Sequence, residues 1–216
     1  SDLGYREINE GTEYEAYLNH TSDSVINIPS SYEGLPVTKI ATNLFNNNQD
    51  IHTVNLPSTL KYIGDQAFYA AGNLKSITLN EGLLEIGSWA FCHSGITSIA
   101  LPGSIEIIGN SAFLWTMTIY CEAEEKPLGW HSNFDNTGDY ERVVWGHDLV
   151  KRTYTLELNN GEDDVTYADV YGIDSQPEDP TYTDHTFIGW YDNEDFIGSA
   201  VTFPYFSKTG ATTLYA

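Results

Sequence analysis

The chain has 216 residues and a formal net charge of −22, with 31 acidic against 9 basic side chains. Such a surface repels phosphate backbones and anionic lipid headgroups, which argues against nucleic acid and direct membrane insertion. No apolar run reaches the roughly 18–20 residues of a membrane span, and two cysteines, Cys92 and Cys121, are too few for a disulfide framework.

The sequence opens at Ser1 with no charged-then-apolar leader, so it is expected to be a mature or trimmed segment. Residues 3–18 alternate about Asn9-Glu10-Gly11, and period two around an Asn/Gly turn predicts a hairpin. Residues 25–45 follow as a divergent first copy of a pattern that becomes regular at Ile51. The extra residues of that copy fall in Ser30-Ser31-Tyr32-Glu33-Gly34-Leu35-Pro36, a turn-rich insertion.

From Ile51 to Phe113 the chain says nearly the same thing three times. Ile51, Leu74 and Ile96 open the units at steps of 23 and 22 residues, and Leu56, Leu79 and Leu101 keep the step. So do Ile63, Ile86 and Ile108, each followed by Gly64, Gly87 or Gly109, and then Ala67-Phe68, Ala90-Phe91 and Ala112-Phe113. A fixed period of this length predicts a stacked repeat, since no unit can bury its apolar side alone. Val54 and Leu56 stand two apart, as do Ile77 and Leu79, so each pair points to one side of a short strand. Pro57 and Pro102 end their strands because proline cannot donate to a ladder. The glycine is expected at a corner where a side chain or its φ restriction is unwelcome. The phenylalanines are expected to stack as an internal column, which the hairpin caps at its first open face.

After Phe113 the phase slips. Ile119 and Cys121 fit a last strand, with Cys121 in the core slot of Leu101, and both cysteines are expected as separate, half-buried thiols. Trp130 and Trp145 are the large aromatics expected to cover the last face, bridged by a polar loop over 131–142. From Asp148 the composition changes. Strands are predicted at 153–158, 165–170, 187–191 and 212–216, with a turn at Asn159-Asn160-Gly161. The domains expected are therefore 1–149 and 150–216. The first comprises a hairpin cap (1–24), repeats (25–115), and a last strand with C-terminal cap (116–149).

With Leu-Pro, Ile-Gly and Ala-Phe recurring in phase, residues 25–120 resemble the leucine-rich repeats of the BspA type, found in bacterial and some protist surface proteins. Ile28-Pro29-Ser30-Ser31-Tyr32-Glu33-Gly34 looks like that family's entry repeat, and the stretch to Trp145 is similar to its terminal cap. Phe187-x-Gly189-Trp190-Tyr191, with the ending Thr213-Leu214-Tyr215-Ala216, resembles the internalin B-repeat family of small β-grasp-like surface modules. That family usually continues Ala-x-Trp, so the parent chain is expected to extend further or to have been trimmed at Ala216. The resemblance implies a mostly β chain: a leucine-rich-repeat solenoid with both caps, then a small β-grasp-like domain.

Signatures of catalysis are missing from the sequence. The six histidines (20, 52, 93, 131, 147 and 185) lack metal-ligand spacing, and there is no nucleophile elbow, P-loop or dinucleotide fingerprint. No cofactor, metal or enzymatic activity is expected. Asn193-Glu194-Asp195 offers oxygen ligands for calcium or is a solvated turn, and Asn19-His20-Thr21 is a glycosylation sequon without weight in a bacterial protein. What remains is the outward side of the repeat strands: Ser76, Thr78 and Asn80, with Thr53 and Asn55 before them, Ser98 and Ala100 after, and Thr118 and Tyr120 on the last rung. About five rungs at ~4.8 Å make a strip roughly 20–25 Å wide, short-chained and uncharged, either a binding face or a solvated sheet face. By resemblance, the expectation is an extracellular cell-surface protein that binds a host or bacterial surface protein or glycan. The alternatives are a stalk displaying another domain, and an enzyme or carbohydrate-processing accessory domain, for which a paired-carboxylate cleft would be the sign.

Overall fold

A computed structural model describes residues 3–19, 22–158, 163–181, 186–206 and 212–216. His20 and Thr21 of the sequon, the turn at Asn159–Gly161, and His185 lie outside the described residues. The chain divides into two compact units, Ser1–Gly146 and His147–Ala216.

In the first unit, β1 (Leu3–Ile8) and β2 (Glu13–Asn19) form the expected antiparallel hairpin around a single 3-10 turn, Asn9–Gly11. Its second strand does more than cap. It pairs in parallel with a strand of the repeats, Ala16 opposite Ile40, so the hairpin is continuous with the solenoid. β3 (Val25–Asn27), β4 (Ser31–Tyr32) and β5 (Leu35–Ile40) come next. The insertion is a miniature hairpin, β4 against β5, turned by Glu33 and Gly34 at φ +48° and +86°. Two successive positive φ values are what a tight hairpin turn needs to match strand twist.

Each later period lays one short strand on each of two sheets: β6 (Thr53–Asn55) and β7 (Tyr62–Ile63), β8 (Ser76–Ile77) and β9 (Glu85–Ile86), β10 (Ser98–Leu101) and β11 (Ile107–Ile108). β12 (Thr118–Cys121) and β13 (Val143–Val144) finish the series. The first sheet runs β1-β2-β5-β7-β9-β11, with every pair after the hairpin parallel. On the second side β3-β6-β8 and β10-β12-β13 form two parallel stretches.

The third side of the coil carries no regular strand, yet it is laddered too. Phe45, Phe68 and Phe91 each donate their backbone N–H to the alanine carbonyl of the next unit, at Ala67, Ala90 and Ala112, over 2.7–2.8 Å. Asn43, Gln66, Trp89 and Ser111 flank these bonds in the left-handed region, φ +50° to +63°. Each donates to a carbonyl one unit on, at Asp65, Ser88, Asn110 and Asn133. The left-handed cost of about 1–2 kcal/mol per residue is roughly matched by one hydrogen bond, so the aromatic column decides the balance. Phe45, Phe68, Phe91 and Phe113 are fully buried. Successive centroids lie 5.2, 5.2 and 5.8 Å apart, at interplanar angles of 16°, 4° and 3°.

The glycines after Ile63 and Ile86 serve close approach. A Cβ on Gly64 would sit 2.6 Å from the Thr42 nitrogen, and one on Gly87 2.5 Å from that of Asp65. Gly64 and Gly87 are also donors in the ladder, to Ile40 and Ile63 carbonyls.

The cap differs from expectation in one respect. Residues 131–142 are more than a polar loop, because Phe134 is fully buried and stands edge-on to Phe113 at 6.4 Å and 89°, ending the column. Trp130, Tyr140 and Trp145 pack around it, and the Trp130 indole donates to the Ile105 carbonyl at 3.1 Å. Asp135, also buried, is satisfied by the backbone N–H groups of Thr137, Gly138 and Tyr140. Both cysteines are free and fully buried rather than half-buried, and burial raises both thiol pKa values.

The second unit is a three-stranded sheet. Central β14 (Arg152–Glu157) pairs antiparallel with β15 (Val165–Val170) and parallel with β16 (Thr213–Tyr215). Tyr154, Leu156, Ile173, Trp190, Tyr205 and Leu214 form its core. The strand predicted over 187–191 reduces to Tyr191, which exchanges backbone bonds with Tyr215. Gly189, two residues before it, sits at φ +143° with the Ala200 methyl 2.5 Å from where a Cβ would be, and the Trp190 carbonyl accepts from the Val201 N–H at 2.8 Å, so the run lies against residues 200–201 and meets β16 at Tyr191. His147 is buried here, with Leu149 N–H donating to Nδ1 at 2.7 Å and the Tyr171 carbonyl 2.8 Å from Nε2, an arrangement satisfied by the neutral ring with its proton on Nε2.

Two outcomes follow from this packing. Phe91→Ala should lower the unfolding free energy by about 3–5 kcal/mol in urea titration, while Ile188→Ala, at a side chain 70% exposed, changes it by less than about 0.5 kcal/mol. Burial pushes the His147 pKa below 6.5, so the folded unit binds fewer protons than the unfolded one. The stability this contributes is present above the unfolded value and lost as pH falls through it. The opening free energy of β14, read from amide exchange after division by the base-catalysed intrinsic rate at each pH, should therefore fall as pH drops from about 7.5 to about 5, and His147→Gln should flatten the dependence.

Candidate binding surfaces

The outward side of the β3-β6-β8 ladder is built by register. Val25, Thr53 and Ser76 form one row, and Asn27 and Asn55 begin a second. Ile26 and Val54 point into the core between them and are buried, so alternation turns their neighbours out. Asn55 donates through Nδ2 to Asn27 Oδ1 at 2.7 Å, and Asn80 to the Leu56 carbonyl at 3.1 Å, tying successive rungs from the outside. Thr53, Asn55, Ser76, Thr78 and Asn80 border a shallow depression of about 160 Å³. Ser98 and Ala100 continue the strip on β10, half-buried.

The last expected rung is different. Thr118 and Tyr120 are buried, at 0% and 1% exposure, and are not open to a ligand. Arg142 reaches back to donate to Thr118 Oγ1 at 2.7 Å, and β13 pairs alongside, setting Val144 opposite Tyr120. The exposed strip therefore ends near Ala100. At its other end it gains Asn27 and Val25, which the sequence reading left out. The signal was there: Ile26 and Ile28 already align with Val54 and Leu56, so the residue between them aligns with Asn55.

Charge touches the strip only at its margin. Burial, then the charge of the neighbouring Glu122, raises the Glu81 pKa. Both stand on exposed turns, and Glu122 is committed through Oε2 to the Gly103 N–H at 2.7 Å. At Asn193-Glu194-Asp195, Asn193 accepts from the Ile197 N–H and donates to its carbonyl, which closes a turn. The described residues hold no group of three or more His, Cys, Asp or Glu placed to share a metal ion. No helix among them is long and apolar enough to cross a membrane.

Residues 13–121 match the profile of the BspA type leucine-rich repeat region in six copies. Residues 153–216 match that of the Listeria-Bacteroides repeat domain. Among solved structures, a Treponema pallidum leucine-rich repeat protein aligns at 23% identity and a TM-score of 0.53, over 67% of this chain and 62% of its own. A leucine-rich repeat protein from Bacteroides ovatus aligns at 19% identity and 0.45, over 56% of this chain and 39% of its own. The pneumococcal vaccine antigen PcpA aligns at 23% and 0.43, over 61% and 37%. The chain thus spans less than two thirds of the length of each of these three proteins. Comparison with curated proteins gives no match.

The strip and the buried rung beyond it should differ in reactivity. A cysteine introduced as Thr78→Cys should label with a maleimide dye in the native protein, whereas Thr118→Cys should label only on unfolding, as read by mass spectrometry.

Proposed function

The chain belongs to the BspA-type leucine-rich repeat family, a family of non-catalytic interaction scaffolds, and we propose that it is an exported bacterial cell-surface protein whose solenoid mediates adhesion. The observation that carries the reading is the family match over residues 13–121 together with the uncharged strip that its rungs present. Asn27, Thr53, Asn55, Ser76, Thr78 and Asn80 offer hydroxyl and amide groups at the ~4.8 Å rung spacing. A partner that lies across the rungs can hydrogen-bond to several of them at once, and none of them demands that a charge be desolvated. The partner class is a surface protein or glycan of a host cell, its matrix or another bacterium. The acidic surface as a whole supports solubility outside the cell and disfavours polyanions.

The second unit, matching a repeat domain over 153–216, supports the same setting. In the competing reading the chain is a spacer without a ligand of its own. The double variant Ser76→Arg with Thr78→Arg separates the two, since neither side chain holds a rung together and the added bulk blocks the strip. Binding of the full chain to epithelial cells and to an extracellular-matrix protein array should fall at least about tenfold, or ~1.4 kcal/mol. Binding that survives undiminished would favour the spacer.

A further inference from the structure

The first sheet also has an outward side, and its chemistry is unlike that of the strip. Lys39, Tyr62 and Glu85 stand shoulder to shoulder across β5, β7 and β9 in strict register. Together with Asn9, Thr42 and Asp65 they line an open groove of about 560 Å³. Small-molecule sites typically run about 300–1,000 Å³, so this groove is large enough to enclose a small ligand, whereas the 160 Å³ depression of the strip suits a partner laid across its surface.

We propose that this groove is a second binding site and that it takes a neutral oligosaccharide. Its groups are arranged to meet hydroxyls. Among the described residues, the Glu85 carboxylate, the Tyr62 hydroxyl and the Thr42 hydroxyl make no hydrogen bond. Asp65 spends Oδ1 on the Ser88 N–H at 2.7 Å and keeps Oδ2. Asn9 donates through Nδ2 to Glu13 at 2.6 Å and keeps its carbonyl oxygen. The one cation is already engaged: Lys39 lies 3.6 Å from buried Glu15, which also accepts from Arg6. The groove thus presents carboxylates, a hydroxyl-bearing aromatic ring and a neutralised ammonium side by side. A sugar hydroxyl is both donor and acceptor, so one ligand class satisfies all of these, and a pyranose can lay its apolar C–H face on the Tyr62 ring. An anionic ligand would meet Glu85 and Asp65 with no free counter-charge, and a cationic one is the competing occupant that the titration includes.

This site lies on a different sheet from the strip and is read out separately from adhesion. The test is amide NMR on the full chain, titrated with tetrasaccharides of glucose, mannose, galactose and N-acetylglucosamine up to about 10 mM, well above millimolar affinity. At least one should shift the amides of Lys39, Tyr62 and Glu85 saturably. Its affinity should drop at least tenfold in Tyr62→Ala and in Glu85→Gln, the second keeping the side chain's shape should the first disturb the fold. Ser76→Arg with Thr78→Arg should leave it unchanged. The proposal is overturned if none of the four sugars shifts these residues, if the shifts map elsewhere, if Glu85→Gln binds as before, or if tetralysine or a sialylated sugar binds this groove in preference.

Discussion

The structure depends on one repeated event: a phenylalanine N–H reaching the alanine carbonyl of the next unit while its ring lies flat on the next ring. Sheets alone would hold two sides of the coil. At two residues per strand, β7 and β9 supply few bonds of their own, and the corner from Asn43 to Ser111 supplies the rest. Burying a phenylalanine contributes about 1.5–3 kcal/mol and each ring pair about 0.5–1.5 more. That surplus is what lets Gln66 and Trp89 remain in backbone conformations they would otherwise avoid. Alanine precedes the ring at Phe68, Phe91 and Phe113, where both are fully buried and a second large side chain would have to displace the column, whereas Leu44 before Phe45 is only partly buried.

The same rungs support two outer faces of different character, because each unit shows one strand to each side. On one, short polar side chains bond to one another and to backbone, as Asn55 does to Asn27. On the other, longer side chains stand over the β5, β7 and β9 strands and leave a groove between them. The backbone sets where side chains stand and leaves their identity open, so a solenoid can change one face without disturbing the other.

Much of the solenoid was legible in the sequence, since its signals repeat: the ring column, the Ile-Gly corner and the inward Val54 and Leu79 all follow from a step of 22 or 23 residues. What was illegible falls where repetition stops. Phe134 follows Phe113 by 21 residues with Asn133 where an alanine would stand, so nothing marked it as the end of the column. Thr118 and Tyr120 looked like one more outward rung, but Arg142 and β13, distant in sequence, lie against them. In the second unit Phe187–Tyr191 had the composition of a strand, but Gly189 lies close against Ala200 and Trp190 accepts from Val201, contacts no local pattern encodes. The groove was missed for another reason. Lys39, Tyr62 and Glu85 occupy equivalent positions with unlike chemistry, and a search for recurring residues passes over them.

The nearest-neighbour character of the ladder has an evolutionary consequence. Gly64 donates to Ile40 and Gly87 to Ile63, each to the preceding layer and no further. An in-frame duplication of one period would therefore meet, on both sides, the partners it already had. Copy number can drift between lineages without a new fold having to be found, while Phe134 and the hairpin at Leu3–Asn19 stay fixed as bookends.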